Sequence, residues 1–259
     1  MNSFETRQQE LYSLLQNPAT KNSLAFEGTW VADSETGERF PIRDGIPVVL
    51  REDDLFGWNK KMQRGYSWFS HLYDLLYATN LGNIQKWLDE LAGIIDITDG
   101  DAVLETSVGT GQQIRNLARS GVSARFFGND ITFGMLRKCQ HNCRKWGIDS
   151  GLVQGNAETL PFQDGIFDVV FHIGGINFFN EKEAAIQEMI RVAKPGASIY
   201  LSDESAAFQE KTPIGSFMPK AETGVYDPPV NLISDSMLNC KTYELWDSLF
   251  WMVSFEKPE

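Results

Sequence analysis

The chain has 259 residues, a formal charge of −12, and 42% hydrophobic and 22% charged residues. That length suits one large α/β domain with an appendage, or two small domains, and the composition excludes disordered and fibrous classes. The charge weighs against a nucleic-acid partner: phosphate binding draws on clustered Lys and Arg, and here Arg51, Lys60, Lys61, Arg64, Arg137, Lys138, Arg144 and Lys145 are scattered.

The N-terminal stretch MNSFETRQQELYSLLQ reads as an amphipathic helix (Phe4, Leu11, Leu14, Leu15) that stops before Pro18. It lacks the basic-then-apolar layout of a secretory signal. No stretch approaches the roughly 18–20 uninterrupted apolar residues of a membrane helix, so no membrane partner and a cytoplasmic location are expected. The strand-like runs LAFEGTWVA, ERFPI and IPVVL follow, separated by the turn signals SETGE and RDG. Residues 1–54 therefore form a small, mostly β unit. Residues 55–98 read as helical, from YSWFSHLYDLLYAT and NIQKWLDELAGII.

From Asp101 the pattern alternates. DAVLETS, SARFFGND, GLVQGN, FDVVFHI and ASIYLSD read as strands; GQQIRNLARSG, TFGMLRKCQHNCRKWG and EKEAAIQEMIRVA read as helices. Such alternation implies a parallel sheet covered on both faces. Two extended runs, CKTYELW and DSLFWMVSFEKP, close it as an antiparallel hairpin. The expected fold is α/β: a Rossmann-like, mostly parallel seven-stranded sheet over residues 99–259, with the N-terminal β unit beside it. Three cysteines, Cys139, Cys143 and Cys240, make a disulfide framework improbable. Cys139 and Cys143 are four apart on one helix and read as buried thiols, and no metal site is expected.

The chemistry lies in VLETSVGTGQQI, residues 103–114. A strand running through Gly109-Thr110-Gly111 into a helix makes a tight turn where backbone approaches a ligand closely. Asp130 ends the next strand, where an acid accepts hydrogen bonds from ribose hydroxyls. A dinucleotide site needs a third glycine where this chain has Ile114, and no Gly-Lys-Ser/Thr follows for a P-loop. A nucleoside site without a phosphate cradle needs only the first turn.

Four segments then resemble one family in order and spacing. VLETSVGTG is similar to the first signature of class I S-adenosylmethionine (SAM)-dependent methyltransferases, and GNDITFGMLRKCQ to their second. VQGNAETLPFQDGIFDVVF and EMIRVAKPGASIYLSDE resemble their third and fourth conserved stretches. The subgroup suggested includes the ubiquinone- and menaquinone-biosynthesis C-methyltransferases. The resemblance implies SAM as cofactor, with Glu105, Gly109 and Gly111 at its methionine end and Asp130 on the ribose. It places Ile131 and Met135 by the adenine ring, Asn156 and Ala157 on the adenine edge, and His172, just past strand four, near the sulfonium. Ser107 replaces the usual first glycine, and Asn156 replaces an Asp. YSWFSHLYDLLY resembles a lid over the SAM pocket, with Tyr73 as its contact.

Residues 14–50 resemble a small zinc-binding domain that precedes some methyltransferases, including a ribosomal-RNA guanine methyltransferase. Asn17-Pro18-Ala19-Thr20 stands where that family has Cys-Pro-x-Cys, and no Cys or His precedes His71, so the metal ligands are gone. Methyl transfer is an in-line displacement at a sulfonium in which alignment supplies much of the rate. His172 or Asp203 would act as base for an oxygen or carbon acceptor. The acceptor, a small molecule, is expected between the lid and residues 205–237, which include Phe208, Phe217, Met218, Tyr226 and Pro228-Pro229. Two alternatives stay open: an RNA methyltransferase with a positive patch around Arg137–Lys145, and a non-catalytic SAM-binding regulatory or partner protein.

Overall fold

A computed structural model describes residues 3–51, 55, 57, 60, 81–212 and 226–259. Helix α1 (Ser3–Leu14) ends short of Pro18, as a residue without an N–H dictates. Four strands follow in an antiparallel meander: β1 (Leu24–Phe26), β2 (Trp30–Asp33), β3 (Arg39–Arg43) and β4 (Ile46–Pro47). LAFEGTWVA, expected as one extended run, is two strands. Gly28, at φ 73°, turns the chain back so that Phe26 pairs with Val31.

A knot of polar side chains surrounds Asp33, which is buried. Asn17 Nδ2 and Thr20 Oγ1 donate to its Oδ2 at 2.8 and 2.6 Å. Asn22 Nδ2 and the backbone N–H groups of Glu35 and Thr36 donate to its Oδ1 at 3.1, 3.0 and 2.9 Å. Among the described residues, no three His, Cys, Asp or Glu side chains are placed to share a metal ion.

The remaining elements are α2 (Leu81–Ile94), β5 (Ala102–Glu105), α3 (Gln112–Ala118), β6 (Arg125–Asp130), α4 (Phe133–Trp146), β7 (Ser150–Gln154), β8 (Phe167–Ile173), α5 (Lys182–Val192), β9 (Ala193–Glu204), α6 (Ala206–Lys211), β10 (Leu238–Leu245) and β11 (Phe250–Glu256). Seven strands form one sheet in the order β10-β11-β9-β8-β5-β6-β7. The five from β5 to β9 are parallel, and β11 runs antiparallel to both β9 and β10. This is the Rossmann-like mixed sheet with a C-terminal hairpin that the alternation predicts. No helix among the described residues is long and apolar enough to cross a membrane.

Side chains alternate across the sheet and feed two cores. Leu104, Val170 and Leu201 join Ile186 and Met189 of α5 on one face. Val103, Val169, Phe171 and Tyr200 join Leu91 of α2, Ile114 of α3 and Leu136 of α4 on the other. The N-terminal unit is not a loose appendage. Leu11, Leu15 and Val49 are buried in the first core with Phe127 and Val153, and Val49 N–H donates to Gln154 O at 2.8 Å. Each such leucine stabilises the docking by about 1.5–3 kcal/mol.

Candidate nucleoside and donor site at the carboxyl edge of the sheet

From β5 the chain winds outwards in two directions, to β6 and β7 on one side and to β8 and β9 on the other. The crevice between β5 and β8 is therefore the switch point, where α/β sheets bind ligands at their carboxyl ends. The loop leaving β5 is shaped by its neighbours. Gly111 has φ 82°, and a Cβ there would lie 2.8 Å from Cys139 Sγ, so the loop sits directly on α4. A Cβ at Gly128 would come within 2.8 Å of the Val108 side chain. The bare backbone of β6 lets Val108 fold over it and donate its N–H to Asn129 O at 3.0 Å.

Asp130 closes this turn. Its Oδ2 accepts the Gly109 N–H at 2.9 Å, and its Oδ1 accepts the Thr132 N–H at 2.8 Å. The Thr132 side chain is a third donor, and with about four acceptor positions an ionised carboxylate is still short of complete. Burial lifts its pKa to about 6, against the pull of the hydrogen bonds from Thr132 and Gly109. Glu105 lies on the same face of the sheet, through the pairing of Glu105 with Gly128 two residues before Asp130. Its carboxyl is pushed well above the usual range by burial, then by the charges of Asp130 and Cys143. Its Oε2 is buried without a partner, as are Thr110 Oγ1 and both amide atoms of Gln113. Buried orphaned polar atoms are rare in folded proteins, and four of those among the described residues lie between Glu105 and Gln113.

Around the carboxyl ends of β6 and β7, Ile131 is half-buried while Met135 and Ala157 are buried. Asn156 Oδ1 caps the turn at 157–159, accepting the Glu158 N–H at 3.0 Å. Gln154 Nε2 donates to Ile131 O at 2.9 Å. Ser107 is half-buried in the loop. Tyr73 and the aromatic stretch around it, like Phe217 and Met218, lie outside the described residues.

His172 and Asp203 stand apart from this set. His172 is not past the end of its strand but inside β8, wholly buried. In register with Leu201, it lies on the α5 face, opposite Glu105. Its Nδ1 shares a 3.0 Å hydrogen bond with Thr106 Oγ1, and burial lowers its pKa to about 3. The imidazole is thus neutral at physiological pH and a weak base. Asp203 is also fully buried. Burial raises its pKa, opposed by the backbone N–H groups of Asn177, Glu204 and Gly175. Those of Gly175 and Asn177 reach its Oδ2 at 3.2 and 2.8 Å, that of Glu204 its Oδ1 at 2.8 Å. Asp203 holds the β8–α5 loop against β9.

Sequence reasoning missed the residues that brace the site. Asn129 Nδ2 donates to Thr106 O and Gly155 O at 3.3 and 3.2 Å, joining the loops after β5 and β7. Glu158 Oε1 accepts the Asn180 N–H at 2.8 Å, joining the β7 turn to the start of α5. The available signal was polarity where alternation demands an apolar residue, as in FFGND and GNAETL. Cys139 and Cys143 are buried as expected, 3.9 Å apart at sulfur. A cleft of about 250 Å³ between α1 and α4, lined by Tyr12, Gln140 and Arg144, lies beside the amino end of β7, away from this edge.

Comparison with known proteins agrees with the geometry. Residues 104–201 match the family described as methyltransferase domain. A ubiquinone/menaquinone biosynthesis C-methyltransferase from Xylella fastidiosa is 34% identical over 145 residues, 54% of this chain and 57% of that protein. A demethylmenaquinone methyltransferase from Thermobifida fusca is 31% identical over 137 residues, 51% of this chain and 56% of that protein. The chain thus spans less than two thirds of the length of these relatives. A SAM-dependent methyltransferase from Aquifex aeolicus superposes with a TM-score of 0.55 at 17% identity, over 65% of this chain and 88% of that one. The fold is that of SAM-dependent methyltransferases. The match begins at residue 104, so the likeness of residues 14–50 to a zinc-binding domain draws no support from it.

Proposed function

We propose that this protein transfers a methyl group from SAM to a small-molecule acceptor. The observation that carries the reading is the pair Asp130 and Glu105, both buried, both on one face at the switch point, beside orphaned polar atoms. Asp130 would accept the ribose hydroxyls, one on its open position and the other in exchange for the Thr132 hydroxyl. Glu105 would take the amino-acid ammonium, a cation that a buried carboxylate needs in order to stay ionised. Ile131 and Met135 would border the adenine, with the turn at Asn156 and Ala157 along its edge. The Gln113 amide, unpartnered beside the loop, offers a donor to the donor molecule's own carboxylate. Bound SAM supplies an activated methyl group on a sulfonium.

The chain's own residues supply alignment and exclusion of water rather than a strong base. His172 acts as a neutral partner that fixes Thr106, and Asp203 fixes the β8–α5 loop. The charge of −12 favours a small acceptor over RNA, and so do relatives named for quinone methylation. The test is calorimetric titration with S-adenosylhomocysteine, with NAD as control and with Asp130→Ala. Micromolar binding to the wild type, absent for NAD and lost in the variant, is expected. No binding to the wild type would sink the reading. Turnover of a labelled methyl group separates an enzyme from a non-catalytic SAM-binding protein.

A further inference from the structure

Glu204, half-buried at the carboxyl edge, lies apart from the Asp130 and Glu105 set. Along β9, Asp203 shares a face with Leu201 and His172, while Glu204 shares the other with Tyr200 and Ser202. That is the face of Glu105, which pairs with Phe171 and through it with Tyr200. At ordinary strand spacings Glu204 lies roughly 10 Å across the sheet from Glu105 and roughly 13 Å further along it. Its Oε2 is buried without a partner. Gln209, on the helix that begins two residues later, is 9% exposed, and neither of its amide atoms has a partner among the described residues.

Aromatic rings cluster at the Glu204 end of the ladder. Phe250 is the partner of Glu204 across the β9–β11 ladder. Phe208 lies 5.1 Å from Phe250, Trp87 lies 4.5 Å from it, and Trp246 stacks on it at 5.7 Å. Asp203, one residue away, is held by three backbone N–H groups and attracted by Lys182. Burial, then the charge of Asp203 and a hydrogen bond shared with its side chain, lifts the Glu204 carboxyl to about 9, so an incoming cation would take over from that shared proton. A buried carboxyl in a negative field, an amide carbonyl and the negative faces of aromatic rings share one complement, an ammonium group. A hydroxyl would gain little from that field, and an anion would be repelled.

We infer that Glu204 and Gln209 form the polar part of the acceptor subsite and select a small molecule that carries an amino group on an apolar body. This rests on the methyl-transfer reading above. Both residues lie beyond residue 201, where the methyltransferase-domain match ends.

The test uses protein already saturated with S-adenosylhomocysteine, titrated with 2-phenylethylamine and with 2-phenylethanol as its uncharged analogue. The amine should bind about tenfold tighter or more, the worth of one charge-assisted hydrogen bond. Because Glu204 ionises to receive the ammonium, binding at pH 7.5 should release a proton, read from titrations in two buffers of different ionisation enthalpy. Glu204→Gln, which keeps the shape, should remove most of the amine preference and the proton release, with S-adenosylhomocysteine affinity changed by less than about twofold. Gln209→Met should weaken the amine by a smaller factor. Equal binding of amine and alcohol, no binding of the amine, or an unchanged amine affinity in Glu204→Gln overturns the inference. Failure at the first step, the loading with S-adenosylhomocysteine, is seen separately and overturns the methyl-transfer reading itself.

Discussion

Asp33 and Asp130 are both buried aspartates, each at the carboxyl end of a strand, and the protein uses them in opposite ways. Asp33 accepts hydrogen bonds from Asn17, Thr20, Asn22, Glu35 and Thr36, and no acceptor position is left for anything else. Burial alone would raise its pKa, but the hydrogen bonds of Thr20, Thr36, Glu35 and Asn22 outweigh it and hold the carboxyl far below its usual range. Asp130 has two partners, Gly109 and Thr132, and burial wins, lifting it to about 6. Completing a carboxylate's hydrogen bonds turns it into a structural tie; leaving it half-complete keeps it ready for a ligand.

The linkage signs follow and are opposite. A lowered folded pKa contributes stability that is present above the unfolded pKa, near 3.9, and is lost as pH falls towards the folded value. Asp33 therefore stabilises the neutral protein. A raised folded pKa means that ionisation costs stability as pH climbs from about 4 through about 6, so Asp130 stabilises least at neutral pH. Ligand hydroxyls that bond to the ionised form of Asp130 would recover that cost.

The sharpest contrast comes from truncating each residue in turn. Asp130→Ala should lower S-adenosylhomocysteine affinity by about 100-fold, from two hydrogen bonds to a charged acceptor, while the melting temperature stays near that of the wild type. Asp33→Ala should do the reverse. Scanning calorimetry should show a melting temperature lower by several degrees, with ligand affinity unchanged once the protein is folded; a large loss of affinity there would erase the distinction between the two regions. Titration across pH gives the next largest effect. Below about pH 6 the affinity should fall by about tenfold per unit as Asp130 takes up a proton, and Asp130→Asn should flatten that slope. The smallest effect expected is that of Thr106→Val, which leaves His172 Nδ1 unpaired. It should cost about 1–2 kcal/mol in denaturant unfolding and shift ligand affinity only a few-fold. Loss of all binding in this variant would mean that His172 touches the ligand.

Much of the site could be read before any coordinate. The sheet, its closing hairpin, the turn at Gly109 and Gly111 and the acid at Asp130 follow from periodicity and local turn chemistry, which act over a few residues and leave their mark in the chain. FDVVFHI, residues 167–173, is a strand to the residue. LAFEGTWVA misled because one glycine can serve either within an extended run or at a reversal, and pairing between distant segments decides which.

What only the tertiary structure decided was which face each polar residue takes and whether its hydrogen bonds are complete. Strand alternation puts His172 opposite Glu105, yet the zero of that alternation is set by the register with Leu104 and Val170, which no short window contains. Asp203, a candidate base in sequence, accepts the N–H groups of Gly175 and Asn177, 28 and 26 residues away, which no local pattern indicates. Asp33, Asp130 and Glu204 are three acids at the carboxyl ends of strands, alike in a one-letter string. Their charges differ because desolvation and neighbouring donors are set by contacts between remote parts of the chain, and those exist only once it has folded.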